Sequence, residues 1–288
     1  MAADGFSLEA TRPSDAELAR LSDWLQPGTA VYLSRVPSQP ARELIAAAAR
    51  LRRAGFEPVA HLAARRIGSA AELADFLARV RGEADMRRVL VIAGDGAAGG
   101  PFADALAVIR HGGLRQAGIA EIGISGYPED HPVIARDALA RAMADKIAAA
   151  REAGLGLHIV SQFSFAPEAV VGFLRRLRAA GIDVPVKVGM AGPARLSSLL
   201  RYAARCGVKA SAQGLMSGAA SALLGRIGRE VGPDRMLDAL RAAAPALGAV
   251  APHYFSFGGL IETARYASAA GRLPPGHAIR HTNQEPVP

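Results

Sequence analysis

Short apolar runs alternate with longer amphipathic ones along most of the chain. "GFSLEA" leads into a helical pattern near 14–25, and "TAVYLS" into one near 39–54. "EPVAHLA" precedes 69–81, "RRVLVIAG" precedes 102–111, and "IAEIGIS" precedes 132–153. "GLHIVSQ" leads to 167–180, "VPVKVGM" to 195–205, and "VAPHYFSF" to 258–271. Short apolar runs flanked by turn residues read as strands, and apolar positions three and four apart read as helices. Only between Cys206 and Val250 does the alternation break, and that stretch reads as extra helices.

Local chemistry supports these boundaries. Ser14 with Glu17, and Ser69 with Glu72, have capping-box spacing, in which a hydroxyl and a carboxylate satisfy free amides of a first helical turn. Pro167 suits a first helical position, where its missing N–H costs nothing. Gly55, Gly154 and Gly181 close helices ahead of strands. Runs such as "VLVIAG" are apolar on both faces, as strands covered by helices must be.

Eight strand–helix units in series predict an α/β fold, a closed parallel (β/α)8 TIM-type barrel over residues 1–272 with extra helices before its last strand. A doubly wound open sheet is the alternative. No "GxGxxG" follows the first strand, and the glycines of "AGDGAAGG" lack the dinucleotide-binding spacing. Residues 273–288 are polar and proline-rich and predict a flexible tail.

Composition narrows the function. Half of the 288 residues are hydrophobic, enough for one large core, yet no apolar run reaches the about 18 residues a membrane span needs. The N-terminus lacks a basic region followed by an apolar one, so no signal peptide is expected. Cys206 is the single cysteine, which rules out an internal disulfide and fits a reducing cytoplasm. The net charge is +8, but the arginines are spread through amphipathic helices, as in "FLRRLRAAG". That reads as solvated helix faces and not as a nucleic-acid surface, which would interleave cations with aromatics.

Candidate chemistry collects where the strands end. A parallel barrel places its site at the carboxyl ends of its strands. Those ends carry Glu9, Ser34, His61, Asp95, Tyr127 with His131, and Gln162. Singly, each has an ordinary reading: a solvated acid, a core histidine, a turn aspartate, a loop glutamine. At equivalent places in successive units they point to one pocket. In "FSLEA" alternation puts Phe6 and Leu8 on one face and Ser7 and Glu9 on the other, and a barrel turns one of those faces toward its lumen. A poorly solvated carboxylate there is expected to have a raised pKa and to deliver a proton. There is no His/Cys/acid cluster with metal-ligand spacing and no "GxSxG", so no metal is expected and a bound organic cofactor is the more economical reading.

The ordered set Glu9, "HLA", "AGDG", "SGYPEDHP", "VSQFSF", "VPVKVGM", "CGV" and "PHYFSF" resembles the methylenetetrahydrofolate reductase family over about residues 6 to 271. "GYPEDHP" and "SQFSF" are its most specific parts. The resemblance implies a (β/α)8 barrel that reduces 5,10-methylenetetrahydrofolate to 5-methyltetrahydrofolate with NADH or NADPH, through bound FAD. It implies that Glu9 and Asp95 are catalytic and that Glu9, Asp95 and Gln162 bind folate, with Gln162 also meeting nicotinamide. It assigns Ser34, His61, Asp95, Tyr127 and His131 to the flavin. The sequence also departs from the pattern. The proline pair after the glutamate is "ATRP", Ala93 stands where the family has an arginine, and "MAGPA" replaces the family's usual turn. The lysine that the family carries on the helix before "TQ" corresponds to a position near Ala150, with Lys146 one turn earlier as its substitute for holding the cofactor. Flavin-independent reduction by NADH, a pterin-binding methyltransferase-like barrel, and a non-enzymatic barrel that binds an accessory partner are the alternatives. Expected partners are small folate and nicotinamide molecules, with neither nucleic acid nor membrane, and a homo-oligomer is left open.

Overall fold

The computed structural model describes residues 5–36, 39–129, 131–206, 208, 230–270 and 273. Eight parallel strands close into a barrel: β1 (Ser7–Ala10), β2 (Ala30–Leu33), β3 (Glu57–Ala63), β4 (Arg88–Ile92), β5 (Glu121–Gly126), β6 (Gly156–Ser161), β7 (Val186–Ala191) and β10 (Val250–Phe255). A two-residue antiparallel pair, β8 (Ala194–Arg195) with β9 (Glu230–Val231), lies between the last two of these in the chain. The closing seam joins the first strand to the last, with Ser7 opposite His253 and Glu9 opposite Phe255. The open-sheet alternative is therefore excluded.

The helices form where their signals sit. Ser14 caps α1 (Asp15–Leu21) with both bonds of a capping box. The amphipathic run after β2 forms α2 (Ala41–Arg53). Ser69 caps α3 (Ala70–Ala84) by accepting the Glu72 amide at 3.1 Å, but the Glu72 carboxylate turns to the Gly68 amide instead. Two predicted helices change. The segment near 102–111 becomes α4 (Ala105–Arg110) and a short α5 (Gly113–Gln116), broken where Gly112 takes φ +84°. The helix expected from 132 begins only at Arg136, as α6 (Arg136–Glu152). Pro167 opens α7 (Pro167–Ala179) at its first turn. Of the extra helices expected between Cys206 and Val250, one is described, Asp234–Ala243. Residues 209–229 and nearly all of the predicted tail lie outside the described residues.

Strand alternation divides the core in two. Leu8, Val31, Leu62, Val91 and Ile124 face outward and pack under the helices. Ala30, Tyr32, Val59, Leu90 and Val160 form a small apolar cluster inside the barrel. The rest of the lumen is unusually polar: Ser7, Glu9, His61, His158, Lys187 and His253 are all buried. Barrel interiors are ordinarily filled by branched apolar side chains, and buried polar groups are costly unless paired.

Candidate active site

Glu9 ends β1 at the carboxyl mouth of the barrel. Its Oε2 lies 3.3 Å from Nε2 of His61 on β3 and 3.3 Å from Nε2 of His253 on β10. His253 Nδ1 lies 2.9 Å from Ser7 Oγ. A carboxylate facing Nε2 calls for the N–H on that nitrogen, so Nδ1 accepts from the Ser7 hydroxyl. The Ser256 hydroxyl donates to the Glu9 backbone carbonyl at 2.6 Å and fixes the strand end.

The expected raised pKa of Glu9 is not what this environment produces. Burial pushes the carboxyl up, but the charge of His61 and the hydrogen bond from His253 outweigh it and hold Glu9 at about 2. Burial pushes His253 below its ordinary value, against the pull of Glu9 and with the push of Lys187 and His61. Alternation on β1 located the carboxylate but could not show that two distant strands bring imidazoles to it.

The other predicted residues divide into groups. Ser34 sits at the end of β2, with its amide on the Ala10 carbonyl and its hydroxyl against Thr11 Oγ1, one strand from Glu9. Tyr127, His131 and Gln162 line one recess with Phe163, Cys206 and Val208. Tyr127 and His131 meet edge to face at 5.1 Å, and His131 Nδ1 accepts the Val133 amide. Gln162 folds back to accept the Phe163 amide at 3.0 Å. Glu9 lines a second recess with Thr11, Tyr202, Phe255 and Phe257. Phe163 packs on Phe257 at 4.9 Å and on Phe255 at 5.5 Å, so an aromatic partition stands between the recesses. Asp95 is exposed on the turn after β4, between Gly94 at φ +80° and Gly96 at φ +84°, and joins neither recess. Lys146 lines neither recess. It lies well down α6, partly buried, and its charged neighbour is Asp104, the cap of α4.

Ser7, His253, Tyr202, Phe255 and Phe257 are site residues that strand-end reading did not single out. His253 shares the lumen-facing parity of Phe255 on β10, the signal that could have found it. Among the described residues no group of three His, Cys, Asp or Glu side chains could hold a metal, and no helix is long and apolar enough to cross a membrane.

The methylenetetrahydrofolate reductase family matches residues 25–217. The chain belongs to that family. The match takes in Ser34, His61, Asp95, Tyr127, His131 and Gln162, while Glu9 and His253 lie outside it. Membership makes this reductase-family barrel a folate-linked oxidoreductase of one-carbon units. Among solved structures it is similar to a Yersinia pestis DHPS determined with a pterine-sulfa conjugate, at 11% identity over 92% of this chain and 91% of that chain, with a TM-score of 0.49. A dihydropteroate synthase (FolP) from Thermus thermophilus is similar at 16% identity over 92% of each chain, with a TM-score of 0.46.

For FAD the fit is uneven. The edge-to-face Tyr127–His131 pair beside Phe163 and Gln162 offers a wall for a planar ring. The phosphate end is poorer: Ala93 has no donor beyond its backbone, and Lys146 lines neither recess.

Proposed function

We propose that this chain reduces 5,10-methylenetetrahydrofolate to 5-methyltetrahydrofolate with hydride from NADH or NADPH. The observation that carries the reading is the buried Glu9 carboxylate held between His61 and His253 at the barrel mouth, in a recess with an aromatic wall. The reaction needs a proton on N10 as the bond from N10 to the bridging carbon breaks. The bond's electron pair goes to N10, the N5 lone pair forms an iminium with the carbon, and hydride adds there. Positioned acid catalysis of this kind is worth roughly 10²–10⁴-fold.

Glu9 alone is a poor resting proton store. Protonating a carboxylate held at about 2 costs roughly 7 kcal/mol at neutral pH, at 1.36 kcal/mol per unit. The acid in this proposal is therefore Glu9 working with His61, whose Nε2 stands 3.3 Å away as a group able to hand it a proton. His253 acts as a neutral donor from Nε2, holding Glu9 in place. The aromatic partition excludes water and offers the folate ring a stacking face.

Bound FAD would supply a hydride carrier between nicotinamide and folate. Tyr127, His131 and Gln162 would hold its ring, and the missing phosphate contacts make that hold weak. The same weakness favours direct transfer from NADH as the second route. The test is an anaerobic assay of purified protein with NADH or NADPH and methylene folate, with and without added FAD, following nicotinamide oxidation and the methyl product together. Product formation without FAD selects direct transfer, and FAD-dependent product selects the flavin route. No product under either condition rejects the reductase reading.

A further inference from the structure

Beneath the site the lumen holds a second polar tier. Glu121 Oε1 lies 2.6 Å from His158 Nδ1, and His158 Nε2 lies 2.7 Å from the Tyr32 hydroxyl. His158 and Tyr32 are essentially fully buried, while Glu121 opens partly to the opposite face of the barrel. The carboxylate fixes the N–H on Nδ1, so Nε2 accepts the phenol proton. Gly123 makes room for this ring: a Cβ there would stand 2.7 Å from His158 Nε2. The phenol is thus anchored at its far end, while its ring lies at 75° to the His253 imidazole with centroids 4.7 Å apart.

We propose that Glu121, His158 and Tyr32 are positioning residues for the site above, a hydrogen-bonded column that pins the Tyr32 ring against His253 and keeps that imidazole dry and aimed at Glu9. The groups facing His253 are Ser7 and Glu9 from β1, Tyr32 from β2, His61 from β3, Lys187 from β7 and Phe255 from its own strand. Exclusion of water is the largest influence that keeps His253 neutral, with Lys187 and His61 opposing a second proton in the same direction. The Tyr32 ring is part of that exclusion. Releasing it admits water and lets the His253 pKa rise toward its ordinary 6.5. The column bears on the proposed reduction only through its effect on Glu9, and its geometry stands independently of it.

The test is nitrogen-15 NMR of the labelled imidazoles, with His253 assigned by substitution, in wild type, Tyr32→Phe, Glu121→Leu and Glu121→Gln. His253 should stay neutral with its proton on Nε2 between about pH 6 and 8 in wild type. In Tyr32→Phe and Glu121→Leu its midpoint should rise by roughly half a unit to one unit. Glu121→Gln still accepts the Nδ1 hydrogen bond and should behave as wild type. The acid limb of the pH–rate profile should move in the same sense, with KM for folate unchanged. An unmoved His253 midpoint in the variants overturns the proposal, and so does a Glu121→Gln effect equal to that of Glu121→Leu. Should Glu121→Leu not fold, Tyr32→Phe decides alone, since it keeps the ring and removes the hydroxyl that bonds His158. A wild type without reductase activity would reject the proposed reaction while leaving the NMR comparison decisive.

Discussion

Glu9 and His253 meet at 3.3 Å across the seam where the first barrel strand pairs with the last. The carboxylate gains a neutral donor, and the imidazole gains the one acceptor that its buried Nε2 requires. The carboxylate fixes the tautomer of the imidazole, and burial keeps that ring neutral against the carboxylate's pull.

Glu9→Gln keeps the size and can still accept from His253, but it can neither carry nor share the reacting proton. Folate reduction should fall by roughly 10²–10⁴-fold. Binding of reduced nicotinamide, measured by its fluorescence in the absence of folate, should be unchanged. Near-normal folate turnover in this variant would remove Glu9 from the chemistry.

Acid should destabilise the fold in two stages. His158 and His253 are held below 6.5 by burial, so as pH falls through 6.5 the unfolded chain takes up protons that the folded one refuses. Glu9 is held at about 2 against an ordinary 4.5, so its contribution is complete above 4.5 and is lost between there and about 2. That shift corresponds to roughly 3 kcal/mol. Urea midpoints at stepped pH should decline from near neutrality and drop more steeply below about pH 4.5. A flat profile across the histidine range would contradict buried neutral imidazoles.

Gly123→Ala should be costly although the position is an ordinary extended strand residue. The added methyl would sit 2.7 Å from His158 Nε2 and 2.9 Å from Leu90 Cδ1. Overpacking of this kind costs typically about 1–3 kcal/mol. Chemical denaturation should show the loss. A variant as stable as wild type would mean that the lumen can repack around His158.

Titration of the protein with FAD, followed by flavin fluorescence, should give saturable but weak binding that is lost on gel filtration. Tyr127→Ala combined with His131→Ala removes the edge-to-face wall and should abolish saturation. Binding unaffected by the double substitution would place the flavin elsewhere or exclude it.

Much of the barrel was legible because its strands and helices obey local rules. The capping box at Ser14, the proline at 167 and the strand at β1 each announce themselves within a few residues. Glu9 was legible for the same reason, as the polar parity of a short strand. Its pKa was not, because that depends on His61 and His253, which pairing between strands alone brings near. The lumen column was hidden for a related reason: β6 reads "GLHIVS" and β2 reads "AVYL", where both faces are buried and neither pattern tells inside from outside.

The seam also sets an order in time. Ser7 and His253 are 246 residues apart, and Glu9 and His253 are 244 apart. On a ribosome, Glu9 emerges 244 residues ahead of its imidazole partner, so every nascent chain that ends between the two carries the acid without that donor. Closure over such a span is the longest in the barrel and belongs to its late steps. A circularly permuted gene that starts in the turn before β2 and joins β1 behind the helix Leu260–Ala270 would turn that late contact into one ordinary strand–helix–strand unit. Competence would then arrive with the final strand as a local event, and faster refolding of the permutant with an intact site would show that the native order of synthesis, and not the geometry, delays it.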